Sequence, residues 1–159
     1  MKVRIRRSTS ADLGFLRQAL AWAADWRESE ADLRILADPA IALYVANWGR
    51  PGDFGAIAEG DDGLVGAAWW RHFTPEEHGF GYIGPETPEV TVAVAPDYRG
   101  QGVGTALLSA LAGEARSEGI TSLSLSVKDG NDAVRLYERI GFRPVERTAN
   151  ALTMRLDLP

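Results

Sequence analysis

The stretch VAVAPDYRGQGVGTALLSAL, residues 92–111, decides how the chain is read. Val92 and Val94 alternate with small residues as a strand does, and Pro96 ends the alternation. Val103, Leu107 and Leu111 then recur at the spacing of an amphipathic helix. Between these segments Gly100, Gly102 and Gly104 alternate with Gln101 and Val103. A strand that passes through a glycine-rich turn into a helix can present unpaired backbone N–H groups at the positive end of the helix dipole, where phosphate oxygens fit. Glycine supplies permissive dihedrals and no Cβ, so a pyrophosphate can approach the main chain. Two nucleotide signatures fail on spacing. A P-loop ends in Gly-Lys-Ser/Thr, whereas Gly104 is followed by Thr105 and Ala106, and the dinucleotide fingerprint Gly-x-Gly-x-x-Gly differs from Gly-x-Gly-x-Gly.

Outward from this stretch, helix and strand patterns alternate. Upstream, KVRIRR (2–7) has a strand period, and Thr9 or Ser10 can cap a helix whose Leu13, Leu16, Leu20 and Ala24 form a stripe. ESEADLRILADPAIALYVANW (28–48) reads as two short helices broken at Asp38-Pro39. DFGAIAEGDDGLVGAAWWRHF (53–73) reads as a hairpin around Gly60-Asp61-Asp62-Gly63. TPEEHGFGYIGPETP (74–88) reads as a long loop of the kind that carries function. On the strand that follows, Val90, Val92 and Val94 share one face and Thr91, Ala93 and Ala95 the other. Downstream, the helix from Val103 closes at Gly119, and Leu123, Leu125 and Val127 alternate in a strand. NDAVRLYERIGF (131–142) is a helix with a cap at Asn131 or Asp132, and FRPVER and ALTMRLDL finish a sheet. The class is α/β or α+β with one mixed sheet, in a single domain over residues 1–159.

Composition narrows the function. A net charge of −5 argues against a nucleic-acid partner, since phosphate binding draws on Lys and Arg. The absence of cysteine excludes disulfides, thiolate metal sites and a cysteine acyl-enzyme. Two histidines six apart, His72 and His78, make a poor metal site, so no metal is expected. No apolar run reaches membrane-spanning length, MKVRIRRSTS lacks the apolar core of a secretory signal, and the cytoplasm is the expected compartment.

The run Arg99-Gly100-Gln101-Gly102-Val103-Gly104 resembles the Gln/Arg-x-x-Gly-x-Gly/Ala signature of the GNAT superfamily of N-acetyltransferases, which binds the pyrophosphate of acetyl-coenzyme A. The likeness covers residues 89–145 closely, through VTVAVAPDYRGQG, VGTALLSALAGEA and NDAVRLYERIGF, and the upstream helices and hairpin in order only. The resemblance implies the acyl-CoA N-acyltransferase fold, a mostly antiparallel mixed sheet flanked by helices. It implies that Val92, Ala93 and Val94 lie along the pantetheine arm, that Arg99 to Thr105 (Arg99, Gly100, Gln101, Gly102, Val103, Gly104, Thr105) hold the pyrophosphate, and that Asn131 and Ala133 line the pantetheine path. It places the Tyr137 hydroxyl at the sulfur. A homodimer is compatible with it.

Direct attack by a neutral amine on the thioester needs a base, donors for the developing oxyanion and an acid for the thiolate. Tyr137 is the expected acid, the amide of Val92 or Val94 an expected oxyanion donor, and Glu89 the expected base, with His72 and His78 as alternatives. Each has a plainer role: Tyr137 as a core residue, Glu89 as a solvated strand start, Asn131 as a helix cap. One of Trp69 and Trp70 should be core and its neighbour should face outward or into a pocket. An aromatic acceptor pocket would draw on Trp26, Trp70, Phe73 and Tyr82. Glu76, Glu77, Glu86 and Glu89 would favour a cationic amine. The expected activity is acetyl transfer to a primary amine without a covalent intermediate. The rival is an acyl-CoA-binding or sensor domain on the same fold.

Overall fold

A computed structural model describes residues 2–27 and 30–159. Among these residues seven strands form one sheet in the order β1-β2-β3-β4-β5-β7-β6, with β1 at Arg4–Arg7, β2 at Phe54–Gly60, β3 at Gly63–Arg71, β4 at Glu89–Val94, β5 at Ser122–Lys128, β6 at Arg143–Arg147 and β7 at Ala151–Asp157. Neighbours pair antiparallel except β4 and β5, which run parallel. The helices are α1 at Leu13–Ala24, α2 at Pro39–Ala42, α3 at Val103–Ser117 and α4 at Ala133–Ile140.

Helices cover both faces of the sheet. α1, α2 and the segment between them bury Leu16, Leu20, Tyr44 and Phe73 with Ile57 and Trp69 of the sheet. On the opposite face, α3 and α4 bury Leu107, Leu111 and Tyr137 with Trp70, Leu123 and Leu125. Trp69 and Trp70 therefore point to opposite faces, yet both are core, at 1% and 0% exposure. The expectation that one would face outward or into a pocket is corrected: alternation fixes which face a strand residue takes, and the second helical layer decides that it is buried.

The N-terminal part departs in detail from the sequence reading. Thr9 makes a reciprocal capping box with Asp12 on a 3₁₀ turn at Ser10–Asp12, and the α-helix starts only at Leu13, which is 38% exposed rather than part of the buried stripe. Of the two short helices expected in residues 28–48, the first is a 3₁₀ turn at Leu33–Ala37 and the second is α2. Glu28 and Ser29, where that reading begins, lie outside the described residues. The break falls where expected. Asp38 is extended before Pro39 and accepts from the Ala40 amide (2.9 Å), capping α2.

Candidate active site

The parallel pair is the feature that builds the site. β4 and β5 share one register pair, Glu89 with Ser124, and then diverge, although β4 continues to Val94 and β5 to Lys128. Which backbone groups face the fork follows from parity. Ala95 N–H donates to Val65 (2.8 Å), so the antiparallel alternation turns the polar groups of Glu89, Thr91 and Ala93 toward β3 and those of Val90, Val92 and Val94 toward β5. The Ser124 amide, donating to Pro88 (3.0 Å), obeys the same parity. Val92 thus offers both its N–H and its C=O to the fork. The Val94 carbonyl is already taken by Arg99 Nε (2.9 Å). Ala93 is corrected as a backbone ligand, because its polar groups face β3 and its methyl is buried under α1.

At the mouth of the fork lies the glycine turn. Gly100 and Gly102 have φ of 74° and 85°, the left-handed region that glycine adopts without strain, and a Cβ on either would meet nothing within 4 Å. None of the amides from Gly100 through Thr105 donates a hydrogen bond among the described residues, and α3 starts with no side-chain cap and no acid in its first turn. This run of free N–H groups at the head of a 15-residue helix is a cradle for an anion. Gly104 has a different role. A Cβ there would lie 2.8 Å from Leu136 Cδ2, so this glycine lets α3 approach α4.

Two cradle residues act as braces. The Arg99 amide donates to Pro96 (3.4 Å), and the guanidinium binds the carbonyls of Val94 and Trp26 (2.9 Å each), tying the end of β4 to the end of α1. Burial lowers the pKa of Arg99. The Gln101 side chain donates to Asp97 O (3.1 Å). Across the fork, Asn131 Oδ1 accepts from the Ala133 amide (2.9 Å) and caps α4. Tyr137 is buried on the inner face of α4, edge-on to Phe142 at 6.0 Å. Its hydroxyl has no hydrogen-bond partner among the described residues, and burial pushes its pKa up, so the phenol stays protonated.

Glu89, at the closed end of the fork, is 2% exposed. Its Oε2 accepts from the Tyr44 hydroxyl (2.5 Å) and the Gly81 amide (3.0 Å), while Oε1 is buried without a partner. The Ser124 hydroxyl, on the same face of the neighbouring strand, is likewise buried and unpartnered. Burial pushes the Glu89 carboxyl up to about 7, against the opposing influence of Tyr44, Gly81 and His78. The expectation of a solvated strand start does not survive. The parity of β4 turns this carboxyl to the α1 face of the sheet, where Tyr44 and Gly81 meet it.

The loop from His78 to Tyr82 covers the carboxyl. A Cβ on Gly79 would collide with the Tyr44 hydroxyl and Glu89 Oε1, and one on Gly81 would lie 2.6 Å from the carbonyl carbon of Leu125 in β5. His78 and Tyr82 stack at 4.6 Å, and Phe80 between the glycines is 60% exposed. The four aromatics expected to form an acceptor pocket are not brought together as such. Trp70 is sealed on the α3 side, donating to Gly52 O (2.8 Å), and Phe73 is buried edge-on against Tyr44. Trp26 and Tyr82 keep partial exposure. His72 is half-buried next to Gly52. Tyr44 and Phe80 were missed, since nothing in their local sequence marks them. Among the described residues no helix is long and apolar enough to cross a membrane, and no group of three or more His, Asp or Glu could hold a metal ion.

A parallel pair that forks over a buried carboxyl, with a run of free amides at its mouth, can hold a ligand with an anionic tail beside an ionisable group. The chain belongs to the acetyltransferase (GNAT) family, whose model matches residues 17–142. It is 38% identical over 96 residues to a mycothiol acetyltransferase of Thermobispora bispora, a match covering 60% of this chain and 31% of the relative, so the chain spans about a third of that protein's length. The ribosomal-protein-alanine N-acetyltransferase of Brucella melitensis superposes with a TM-score of 0.71 at 28% identity, covering 98% of this chain and 99% of its own. An acetyltransferase of Salmonella typhimurium, solved with acetyl-CoA, shares the fold at a TM-score of 0.72 and 24% identity, over 99% and 94% of the two chains.

Proposed function

We propose that the protein transfers an acetyl group from acetyl-coenzyme A to a primary amine by direct attack within a ternary complex. The observation that carries this reading is the run of free amides from Gly100 to Thr105 beside an unpaired strand edge, with Glu89 buried at the end of the same fork. The acyl donor supplies an activated thioester. The cradle amides bind its diphosphate, and the Val94 N–H and the Val92 C=O, both facing the fork, hold the pantetheine arm as an added strand would be held. Asn131 and Ala133 border that path from α4. Tyr137, kept protonated by burial, donates to the sulfur as negative charge grows there, and the Val92 N–H, nearer than Val94 to the Glu89 end of the fork, donates to the thioester oxygen.

Glu89 is the base. With a pKa near 7 it is partly ionised at neutrality and still basic enough to take a proton, directly or through one water. A domain that only bound the carrier would have no use for an ionisable carboxyl buried without a cation. The exposed acids Glu76, Glu77 and Glu86 beside the loop favour a positively charged acceptor, and the relatives named for mycothiol and ribosomal-protein alanine are in keeping with an amine class. The reaction belongs in the cytoplasm, the compartment expected from the sequence.

The test is release of free thiol from acetyl-coenzyme A across a panel of primary amines, with the acetylated product identified by mass. The chain has no cysteine, so protein thiols contribute no background. Amine-dependent release is expected. Saturable coenzyme A binding with no release on any amine would make the protein a binding domain.

A further inference from the structure

Tyr44, in the turn after α2, is used by no step above, yet four side chains converge to fix it. The Trp69 indole N–H donates to the Tyr44 carbonyl (3.0 Å). Arg71 Nη1 donates to the carbonyls on either side, Leu43 (2.9 Å) and Ala46 (2.6 Å). Arg71 is in turn held by Asp53 through two hydrogen bonds (2.9 and 3.1 Å), and both side chains are almost wholly buried. A buried ion pair of this kind is seldom a net source of stability, so what the guanidinium holds in place is the informative part. The Tyr44 ring is wedged edge-on against Phe73 at 5.7 Å.

The direction of the hydrogen bond at the hydroxyl is fixed by its second partner. The Phe80 amide can only donate, and it does so to the Tyr44 oxygen (2.8 Å), so the phenolic proton is left for Glu89 Oε2. Together with the Gly81 amide, this saturates Oε2 and leaves Oε1 as the oxygen open to a proton. One hydroxyl therefore touches the carboxyl and the loop that covers it.

We propose that Tyr44 is the positioning residue of the base: it fixes Glu89 with Oε1 free and latches the His78–Tyr82 loop through the Phe80 amide, so that loop closure follows the ionisation of Glu89. The role rests on Glu89 being the base. The other groups facing that carboxyl are His78 on the loop, Arg71 on β3 with its charge paired to Asp53, and the uncharged Ser124 on β5.

The experiment compares pH–rate profiles of the native protein, Tyr44→Phe and Glu89→Gln on one acceptor, with amide exchange of Phe80 and Gly81 followed in the native protein from pH 5 to 9. Tyr44→Phe removes a donor to the ionised carboxyl. Its acidic limb is expected to move up by about one pH unit, with about a five-fold loss at pH 7 that shrinks toward pH 9 and an unchanged KM for acetyl-coenzyme A. Exchange of both amides is expected to be slower above pH 7 than below it, once corrected for intrinsic rates. If Glu89→Gln abolishes the limb while Tyr44→Phe leaves it in place, the base stands and the positioning role falls. If Glu89→Gln keeps the limb, the base reading falls and this role with it. Should Tyr44→Phe fail to fold, pH-independent protection of Phe80 and Gly81 in the native protein overturns the latch.

Discussion

Glu89 of β4 stands beside Ser124 of β5 at the one register pair that joins these parallel strands, and beyond it their edges separate. The pairing closes the end of the fork, while Tyr44 and the His78–Tyr82 loop cover the carboxyl placed there. The point where hydrogen bonding between the strands stops is thus also where an ionisable group is shut away from water.

The cradle is tested at Gly102. Alanine there places a Cβ on a backbone with φ of 85°, which costs about 1 kcal/mol of folding free energy, and sets a methyl in open space within the run of free amides. Gly102→Ala is expected to weaken coenzyme A binding more than ten-fold by calorimetry while lowering the melting temperature by only a few degrees. Equal losses in both would mean that the turn serves folding alone.

Tyr137→Phe removes a hydroxyl that has no hydrogen-bond partner among the described residues and keeps the buried ring, so the fold should be untouched. The expected result is a fall in kcat of about 10- to 100-fold with unchanged coenzyme A affinity. The loss should be smaller with a thioester whose thiol is more acidic, because a better leaving group needs less help from a donor. A variant as fast as the native enzyme would return Tyr137 to the core.

Much of the fold was legible because it is written locally. The Gly60–Gly63 turn, the valines of β4 and the stripes of α3 and α4 each declare themselves within a dozen residues, and so does the glycine-rich entry into α3. What was not legible depends on contacts remote in sequence. Glu89 looks like an exposed strand start until the loop and Tyr44, 45 residues away, close over it. Trp70 looked available until α3 was seen to cover its face. Arg99 reads as a phosphate ligand through its amide, but that amide donates to Pro96, and the guanidinium reaches Val94 and Trp26, the latter 73 residues away. The Glu89 and Trp70 differences arise from a second layer packing on a segment whose own period was read correctly.

The buried carboxyl should also leave a mark on stability. Below pH 4.5 Glu89 is protonated in both the folded and the unfolded chain. Between 4.5 and about 7 the unfolded chain releases this proton while the folded one retains it, so stability is full on the acid side and is lost as pH rises through 7. The gap corresponds to about 3 kcal/mol. Glu89→Gln is therefore expected to unfold at higher denaturant than the native protein at pH 8 and at a similar concentration near pH 4.5. A difference that is the same at both values would mean that Glu89 titrates as an ordinary surface acid.

The most direct test of the central claim is the pH dependence of kcat for the native enzyme and Glu89→Gln on the same acceptor, since the amine's own titration is common to both. The native profile should rise through an acidic limb centred near pH 7, and the variant should be slower by at least about 100-fold with that limb gone. A variant that keeps the limb, or that turns over at the native rate at pH 7, would contradict the account.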